Sequence, residues 1–346
     1  MSEQTILSVR DLAVSFDTYA GEVQAVRGVT WHLNEKETIA IVGESGCGKT
    51  VSIQTVMGLL QKPAGRIKRG EIIFGGQNVA DFTPKQWRTI QGNEMSMIFQ
   101  DPLTYLNPTM RVGEQISEAY LEHNPGVTRA QANERVLSIM RLVSLPSPVQ
   151  NMRRYPNQLS GGMRQRVMVA MALICDPKVL FADEPTTALD VTIQAQIIDL
   201  MNGLKEKVNT SIVLITHDLG VVANMAQRIY VMYAGQIVEH GDVDSIFSSP
   251  KHPYTWGLLG SVPRLDSKNK SRLYSIPGTP PDLLAPPAGC PFAARCKYAM
   301  NICKRQTPGQ YHFGKQGQYT CCWLYEPQAK ERLHQAQQQR GCAHHD

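Results

Sequence analysis

The chain has 346 residues, of which 42% are hydrophobic and 19% charged, and its formal net charge is +5. Such a composition describes a soluble globular protein with one large or two modest domains. The basic residues are scattered along the chain, which favours an ordinary solvated surface over nucleic-acid binding. No apolar run approaches the roughly 18 residues of a membrane-spanning helix. Glu3, Arg10 and Asp11 interrupt any signal-peptide core, so we expect a cytoplasmic protein.

Strand-like and helix-like runs alternate along the first two thirds of the chain. The strand-like runs cover 6–41, 71–74, 95–100, 179–183 and 211–216. The helical patterns cover about 50–60, 112–145 and 193–207. This alternation predicts a largely parallel α/β core, with 112–145 as a helical insertion. After His252 the composition shifts to Pro, Gly, Cys and Gln, which indicates a separate unit or a metal-stapled appendage.

A phosphate-binding loop is predicted at GESGCGKT, which follows the apolar run Thr38–Val42 and precedes a helical stretch. That is the context that the Walker A pattern G-x-x-x-x-G-K-[ST] requires, whereas an ordinary Gly-rich turn is the alternative. The glycines let backbone N–H groups point inward, and the following helix adds its positive end. Lys49 would contact the β and γ phosphates, and the Thr50 hydroxyl would hold Mg²⁺. The residues predicted to contact nucleotide here are Gly43, Glu44, Ser45, Gly46, Cys47, Gly48, Lys49, Thr50 and Val51.

Two acidic residues end the apolar run VLFADE. Asp183 is of the Walker B type and would hold Mg²⁺ directly or through water. Glu184 points the other way from the strand end and would polarise the attacking water as a general base. The alternative is an acidic pair that only caps a strand.

The string LSGGMRQR stands between these two motifs, at 159–166. With Walker A and Walker B in this order, the chain resembles the ATP-binding-cassette (ABC) ATPases, whose signature motif this is. Ser160 is an N-cap type of residue, and Gly161 and Gly162 leave the first N–H groups of a helix open to an anion. The resemblance implies that this helix faces the nucleotide of a partner subunit, so that hydrolysis requires a dimer.

Further positions follow from the resemblance. Gln100 in MIFQDP matches the glutamine that contacts Mg²⁺ and water, Asp190 in TTALD matches a residue at the dimer seam, and His217 in ITHD matches the histidine that contacts the γ-phosphate. The implied catalytic residues are Lys49, Gln100, Glu184 and His217, and the implied Mg²⁺ ligands are Thr50, Gln100 and Asp183. An aromatic residue stacks on adenine in the family; Tyr19 and Phe16 both qualify, and spacing does not choose.

The resemblance implies a P-loop (RecA-like) nucleotide-binding domain at 1–250. It would comprise an antiparallel β subdomain and a helical subdomain at about 101–160, followed by a Cys-rich C-terminal extension at 251–346. Because helix N-termini lower thiol pKa values, Cys47 is expected to react with a maleimide and to be protected by ATP.

Three stretches resemble the ATPase subunits of bacterial oligopeptide and dipeptide importers: 98–116, SPKHPYTWGLLGSVP and GCPFAARC. This resemblance implies a heterodimer with a paralogous ATPase, two transmembrane permeases and an extracytoplasmic peptide-binding protein. It also implies a peripheral position on the cytoplasmic side of the cytoplasmic membrane, where the permeases make the membrane contact. Nickel importers share much of the pattern. A soluble cassette acting on ribosome or DNA, and a redox-sensing ATP-binding module, are the alternatives from other classes.

Five cysteines of the tail follow the spacing Cys290-x5-Cys296-x6-Cys303, then Cys321-Cys322. Structural zinc usually shows tighter pairs, while four thiolates at wider gaps suit an iron–sulfur cluster, and some relatives carry one in this region. We therefore expect a [4Fe–4S] cluster on Cys290, Cys296, Cys303 and Cys322, with Cys321 as the alternate to Cys322. Reduced free thiols are the alternative.

Overall fold

A computed structural model describes residues 4–186, 190–261, 275–314 and 317–342. Within these ranges the strands are β1 (Thr5–Thr18), β2 (Gly21–Asn34), β3 (Thr38–Val42), β4 (Gly65–Phe74), β5 (Gln77–Asn78), β6 (Met95–Ile98), β7 (Val179–Asp183), β8 (Ser211–Thr216), β9 (Arg228–Tyr233), β10 (Gln236–Asp242), β11 (Tyr311–Phe313) and β12 (Gln318–Thr320).

The helices of the same ranges are α1 (Lys49–Val56), α2 (Pro84–Ile90), α3 (Pro102–Tyr105), α4 (Val112–His123), α5 (Arg129–Leu142), α6 (Pro148–Asn151), α7 (Gly161–Leu173), α8 (Val191–Val208), α9 (Leu219–Met225), α10 (Val243–Ser248), α11 (Pro253–Gly260), α12 (Asn301–Arg305) and α13 (Lys330–Cys342). Short 3₁₀ turns lie at Pro156–Gln158, Trp323–Tyr325 and Pro327–Ala329. In the described part of the chain, no helix has the length and apolar character needed to cross a membrane.

The main sheet has the strand order β11-β12-β10-β9-β3-β8-β7-β6. Its five strands from β9 to β6 pair in parallel. Strands β3, β7 and β8 are buried along their whole length, as expected for parallel strands covered on both faces. The predicted parallel α/β core is therefore confirmed. The segments that follow β3, β6, β7 and β8 all leave the same edge, since parallel strands end on one side of a sheet.

A second, antiparallel sheet has the order β2-β1-β4-β5. Its inner side chains, among them Val9 and Trp31, share one core with Ile41 of β3, Ile53 of α1 and Phe181 of β7. Trp31 is among the largest fully buried side chains. This sheet therefore packs with α1 against one face of the main sheet.

Between β6 and α7 the described elements are helical. Ile116 of α4 and Val136 of α5 pack with Val167 of α7 and Ile98 of β6 in the second large core. The helical stretch predicted at 112–145 is divided into α4 and α5. Thr128 begins α5 by accepting the N–H of Gln131, which accounts for the break.

The chain beyond residue 250 adds to the main sheet. Strand β12 pairs antiparallel with β10, with Thr320 opposite Glu239 and Tyr319 opposite His240, and β11 forms the sheet edge. Phe292 lies in the same core as Tyr254 and Tyr233. Strands β11 and β12 thus extend the main sheet at one edge. The predicted motifs follow strands β3, β6, β7 and β8, which lie in the other half of this sheet.

Candidate nucleotide site

The loop after β3 is shaped by glycines that no other residue could replace. A Cβ on Gly43 would collide with the carbonyl oxygen of Met232, and one on Gly48 with that of Ala25. Gly48 also has a φ of 99°, in the left-handed region that favours glycine. At the crest, Ser45 and Gly46 are exposed. The loop therefore offers open backbone next to the start of α1, which is the arrangement that binds phosphate groups.

Lys49 lies inside this loop. Its side chain is buried, and its ammonium donates to the carbonyl oxygens of Gly43 at 2.7 Å and Glu44 at 2.9 Å. The cation is thus held at the centre of a loop whose N–H groups and helix dipole also attract anions. From this position it can bind the oxygens of a polyphosphate.

Thr50 and Asp183 are brought together from the two predicted motifs. The Thr50 hydroxyl donates to Oδ1 of Asp183 at 3.2 Å. Burial raises the pKa of Asp183 to about 6, while the Thr50 hydrogen bond and the Lys49 charge act in the opposite direction. A cation beside this carboxylate would favour its ionised form. A hydroxyl and a carboxylate are oxygen ligands of the kind that Mg²⁺ prefers, so the pair fits that ion.

Glu184 is held by side chains from the ends of two other strands. The Gln100 amide, after β6, donates to Oε2 of Glu184 at 2.8 Å, and Nδ1 of His217, after β8, lies 3.2 Å from Oε1. Glu184 has a φ of 45°, and its N–H donates to the carbonyl of Ile215 at 2.8 Å. Such unusual backbone is found preferentially at functional sites. The structure therefore brings two other predicted catalytic residues, Gln100 and His217, to the carboxylate of Glu184.

The signature string begins helix α7. Ser160 is its N-cap, and the hydroxyl accepts the N–H of Met163 at 3.4 Å. A Cβ on Gly161 would meet nothing within 4 Å, so the first turn of α7 has open space beside it.

Helix α8 begins next to the same turn. Asp190 caps α8 by accepting the N–H of Ile193 at 3.0 Å, and a Cβ on Gly162 would press against the Ile193 side chain. Residues 187–189 of TTALD lie outside the described residues. Sequence reasoning missed Gln165, whose buried amide donates to the carbonyl of Pro185 at 2.6 Å and ties α7 to the segment after Glu184.

The two aromatic candidates for adenine differ in burial. Phe16 is half-buried and packs against the core beneath the antiparallel sheet. Tyr19 lies in the turn between β1 and β2 and is fully exposed. An exposed ring has a free face for stacking, which favours Tyr19.

Two known protein families match different parts of this chain. The ABC transporter family matches residues 26–187, and the C-terminal region of oligopeptide/dipeptide transporters matches residues 238–303. The oligopeptide transport ATP-binding protein OppD of Bacillus subtilis is 54% identical over 94% of this chain and 90% of its own length. The dipeptide transport ATP-binding protein DppD of Lactococcus lactis is 53% identical over 95% and 93%. The chain belongs to the ABC transporter ATP-binding proteins. It is an ATPase of that family.

A solved structure supports the fold. The ATP-binding cassette MJ0796, in a dimeric post-hydrolysis state bound to ADP and Pi, superposes with a TM-score of 0.62 over 68% of this chain and 98% of its own, at 24% identity. That likeness concerns the fold alone.

The expectation that the start of α1 lowers the pKa of the Cys47 thiol of this ABC ATPase is wrong. The side chain is 3% exposed, and burial raises its pKa, although the Lys49 charge acts in the opposite direction. A buried, protonated thiol is a poor nucleophile. Cys47 fills space beneath the loop, where its Sγ would be 2.9 Å from a Cβ on Gly43, so maleimide inactivation is no longer expected.

Two residues beyond position 250 hold the phosphate loop of the ABC ATPase and were missed from the sequence. Tyr254 accepts the N–H of Glu44 on its hydroxyl at 2.8 Å. Arg295 donates to both carboxylate oxygens of Glu44, at 2.6 and 2.9 Å. Neither residue belongs to a nucleotide motif. Each lies in a string that resembles peptide importers, but nothing in those strings indicates a contact with the loop.

The four thiols assigned to an iron–sulfur cluster lie in one region of the structure. Cys290 donates its N–H to the carbonyl of Cys303 at 2.8 Å, and both are buried. Burial raises the pKa of Cys322 well above its usual range, and Cys290, Cys296 and Cys303 raise it further. Within the described ranges, however, no group of three or more His, Cys, Asp or Glu side chains has the geometry of a metal site. The thiols therefore converge without forming a preorganised site.

Cys321 lies apart from this group. Its thiol is 3.6 Å from the carbonyl of Ile237, and it packs against the other core together with Tyr319. Burial raises its pKa to about 11, and no neighbouring thiol contributes. Of the two adjacent cysteines, Cys322 packs in one hydrophobic cluster with Cys296, whereas Cys321 packs against a different core.

Proposed function

We propose that this chain hydrolyses ATP to drive the uptake of oligopeptides or dipeptides across the cytoplasmic membrane. The observation that carries the ATPase chemistry is the convergence on Glu184 of Gln100 and His217, at 2.8 and 3.2 Å, beside the Thr50–Asp183 pair. The peptide substrate is supported by the match of residues 238–303 and by the names of the relatives.

In this proposal the loop 43–51 binds the phosphates of ATP, Lys49 neutralises their charge, and Tyr19 stacks on adenine. Thr50, Asp183 and Gln100 would hold Mg²⁺, which supplies electrostatic stabilisation of the charge that develops on the phosphates. Glu184 accepts a proton from the attacking water. His217 would orient Glu184 through the contact between Nδ1 and Oε1 and would contact the γ-phosphate, as the family resemblance implies.

The partner's nucleotide would be bound by the start of α7, with Ser160, Gly161 and Gly162, and Asp190 would lie at the seam between the two subunits. The open space beside Gly161 supports this role. We propose a heterodimer with a paralogous ATPase, bound to two transmembrane permeases on the cytoplasmic side of the membrane and supplied by an extracytoplasmic peptide-binding protein.

We divide the chain into a nucleotide-binding domain at 1–250, with a helical subdomain at about 101–160, and a C-terminal extension at 251–346. Helices α3 to α6 lie within 101–160, which supports the proposed helical subdomain. The addition of β12 to β10 means that the extension folds onto the main sheet.

We also propose that the extension binds a [4Fe–4S] cluster through Cys290, Cys296, Cys303 and Cys322. The packing of Cys322 in one cluster with Cys296, while Cys321 packs against a different core, supports this set over one with Cys321. Anaerobically purified protein should contain iron and sulfide, which Cys322→Ser should lose and Cys321→Ser retain. Wild-type protein without iron would exclude the cluster, and equal loss in both variants would exclude the assignment.

The transport proposal is tested by purifying the protein from its native membranes in mild detergent and identifying the co-purifying chains by mass spectrometry. Two permeases, a second cassette and a peptide-binding protein are the expected result. A nickel-binding protein in place of the peptide-binding protein would change the substrate. Ribosomal or DNA-bound material without permeases would overturn the transport role.

A further inference from the structure

The contact between Arg295 and Glu44 joins the C-terminal extension to the second residue of the phosphate loop. The extension contacts Glu44 at two points, its side chain and its backbone N–H. Its carboxylate accepts from Arg295, and its N–H donates to the Tyr254 hydroxyl at 2.8 Å. Its carbonyl, in turn, accepts from the Lys49 ammonium at 2.9 Å. A displacement of Glu44 therefore moves the carbonyl that helps to place Lys49.

Arg295 is suited to act as a fixed anchor. Its side chain is only 5% exposed, and all three guanidinium nitrogens have acceptors. Besides Glu44, these are the carbonyl of Pro277 at 2.9 Å, the carbonyl of Ile276 at 3.4 Å and the hydroxyl of Tyr233 at 3.2 Å. Because a two-pronged arginine–carboxylate pair has a single good geometry, the buried Arg295 fixes the half-buried Glu44 side chain relative to the extension.

We propose that Arg295 is a positioning residue of the nucleotide site, through which the C-terminal extension sets the affinity of the phosphate loop for nucleotide. The inference rests on the proposed function of residues 43–51 as the ATP-binding loop. Arg295 acts through Glu44 on the loop backbone and on Lys49. It has no part in the chemistry around Glu184, so it influences nucleotide binding and not the hydrolytic step.

The test is a double-substitution cycle in the full-length protein, with the dissociation constant for Mg-ADP measured by titration calorimetry. Arg295→Gln should weaken binding roughly tenfold, since hydrogen bonds between charged groups are lost. In a Glu44→Gln background the same change should have an effect of less than about twofold, because its partner is already gone. Arg295→Lys, which keeps the charge but not the two-pronged contact, should lie between Arg295→Gln and wild type.

Two control variants separate this role from a general loss of stability. Arg69→Gln removes an exposed two-pronged arginine–carboxylate pair with Asp11, which joins the antiparallel strands β4 and β1. Tyr311→Phe removes a 2.6 Å hydrogen bond to Glu326 inside the extension. Both should keep wild-type affinity for ADP. In the assembled ATPase, Arg295→Gln should raise KM for ATP and leave kcat within about twofold.

The inference is overturned if Arg295→Gln binds ADP as wild type does, if the effects of Arg295→Gln and Glu44→Gln multiply, or if Tyr311→Phe weakens binding to the same extent. A wild-type protein that binds no nucleotide would instead refute the proposed function. Should Arg295→Gln not fold, Arg295→Lys and the cycle built on it decide the question.

Discussion

The phosphate loop and the C-terminal extension touch at Glu44, yet different kinds of residues specify them. In the loop, all the required groups are neighbours in the chain, from Gly43 to Thr50. The extension reaches the same loop through Tyr254 and Arg295, which are 210 and 251 positions away from Glu44. The loop residues proposed to bind phosphate are neighbours in the sequence. The residues that hold the loop in place are far from it in the sequence and reach it only through the fold.

This difference separates residues that do chemistry from residues that position them. Glu184, Gln100 and His217 follow different strands, but the parallel sheet brings the ends of these strands together. Within the described residues of the extension, Tyr254 and Arg295 contact Glu44, which lies outside that cluster. Substitutions in the two regions should therefore change different quantities, and this contrast can be tested.

The largest effect is expected at the edge of the parallel sheet. Glu184→Gln removes the proposed general base while keeping the size of the side chain. Turnover of ATP by the assembled ATPase should fall about 100-fold or more, and nucleotide affinity should stay within about twofold. Phosphate release and calorimetric titration measure the two quantities.

Asp199→Asn is the matched control for this change, since it makes the same acid-to-amide substitution on an exposed position of α8. It should retain wild-type turnover. Full activity in Glu184→Gln would mean that another residue is the general base. The proposed contrast between catalytic residues and positioning residues would then no longer hold.

A smaller effect is expected where the loop meets Asp183. Thr50→Val removes the hydroxyl that lies 3.2 Å from Asp183 without changing the shape of the side chain much. Affinity for ATP should fall about tenfold in the presence of Mg²⁺ and much less in EDTA. Equal losses under both conditions would assign Thr50 a packing role.

Much of the core and its motifs could be predicted from the sequence because the signals are local. The runs at 179–183 and 211–216 coincide with β7 and β8, since strands buried on both faces are continuously apolar. The positions of Lys49 and Thr50 follow from a loop with nearly invariant chemistry.

The extension could not be predicted in this way. Its strands β11 and β12 have three residues each, too few for a periodic pattern, and pairing with β10 depends on a sheet edge far away in sequence. Cys47 illustrates a different limit. Its place at a helix start predicted a reactive thiol, but tertiary burial outweighed that local effect.

Acidification should weaken the stabilising contribution of a buried histidine in the extension. His252 is fully buried, and burial lowers its pKa to about 3. The unfolded chain binds a proton below its ordinary pKa of about 6.5, but the folded chain does not. The contribution of His252 to stability therefore falls as the pH drops below about 6.5.

His252→Asn retains an acceptor for the N–H of Tyr254 but does not titrate. The stability advantage of wild type over this variant should shrink by about 1 kcal/mol between pH 7.5 and pH 5.5, as measured by urea unfolding at each pH. Glu239 accepts the N–H of His252, and burial raises its pKa to about 7. Together with His240, it titrates in both proteins, so the difference isolates His252. A constant gap would refute the assignment.

The smallest effect is expected for an ion pair that resembles Arg295–Glu44 in geometry but not in burial. Arg69 contacts both carboxylate oxygens of Asp11, at 2.7 and 3.1 Å, and the two side chains are 60% and 61% exposed. Arg69→Gln should change the free energy of unfolding by less than about 1 kcal/mol, because water screens an exposed pair. Urea unfolding measures this quantity. A loss well above about 1 kcal/mol would mean that the two-pronged geometry stabilises the fold even where water screens the charges.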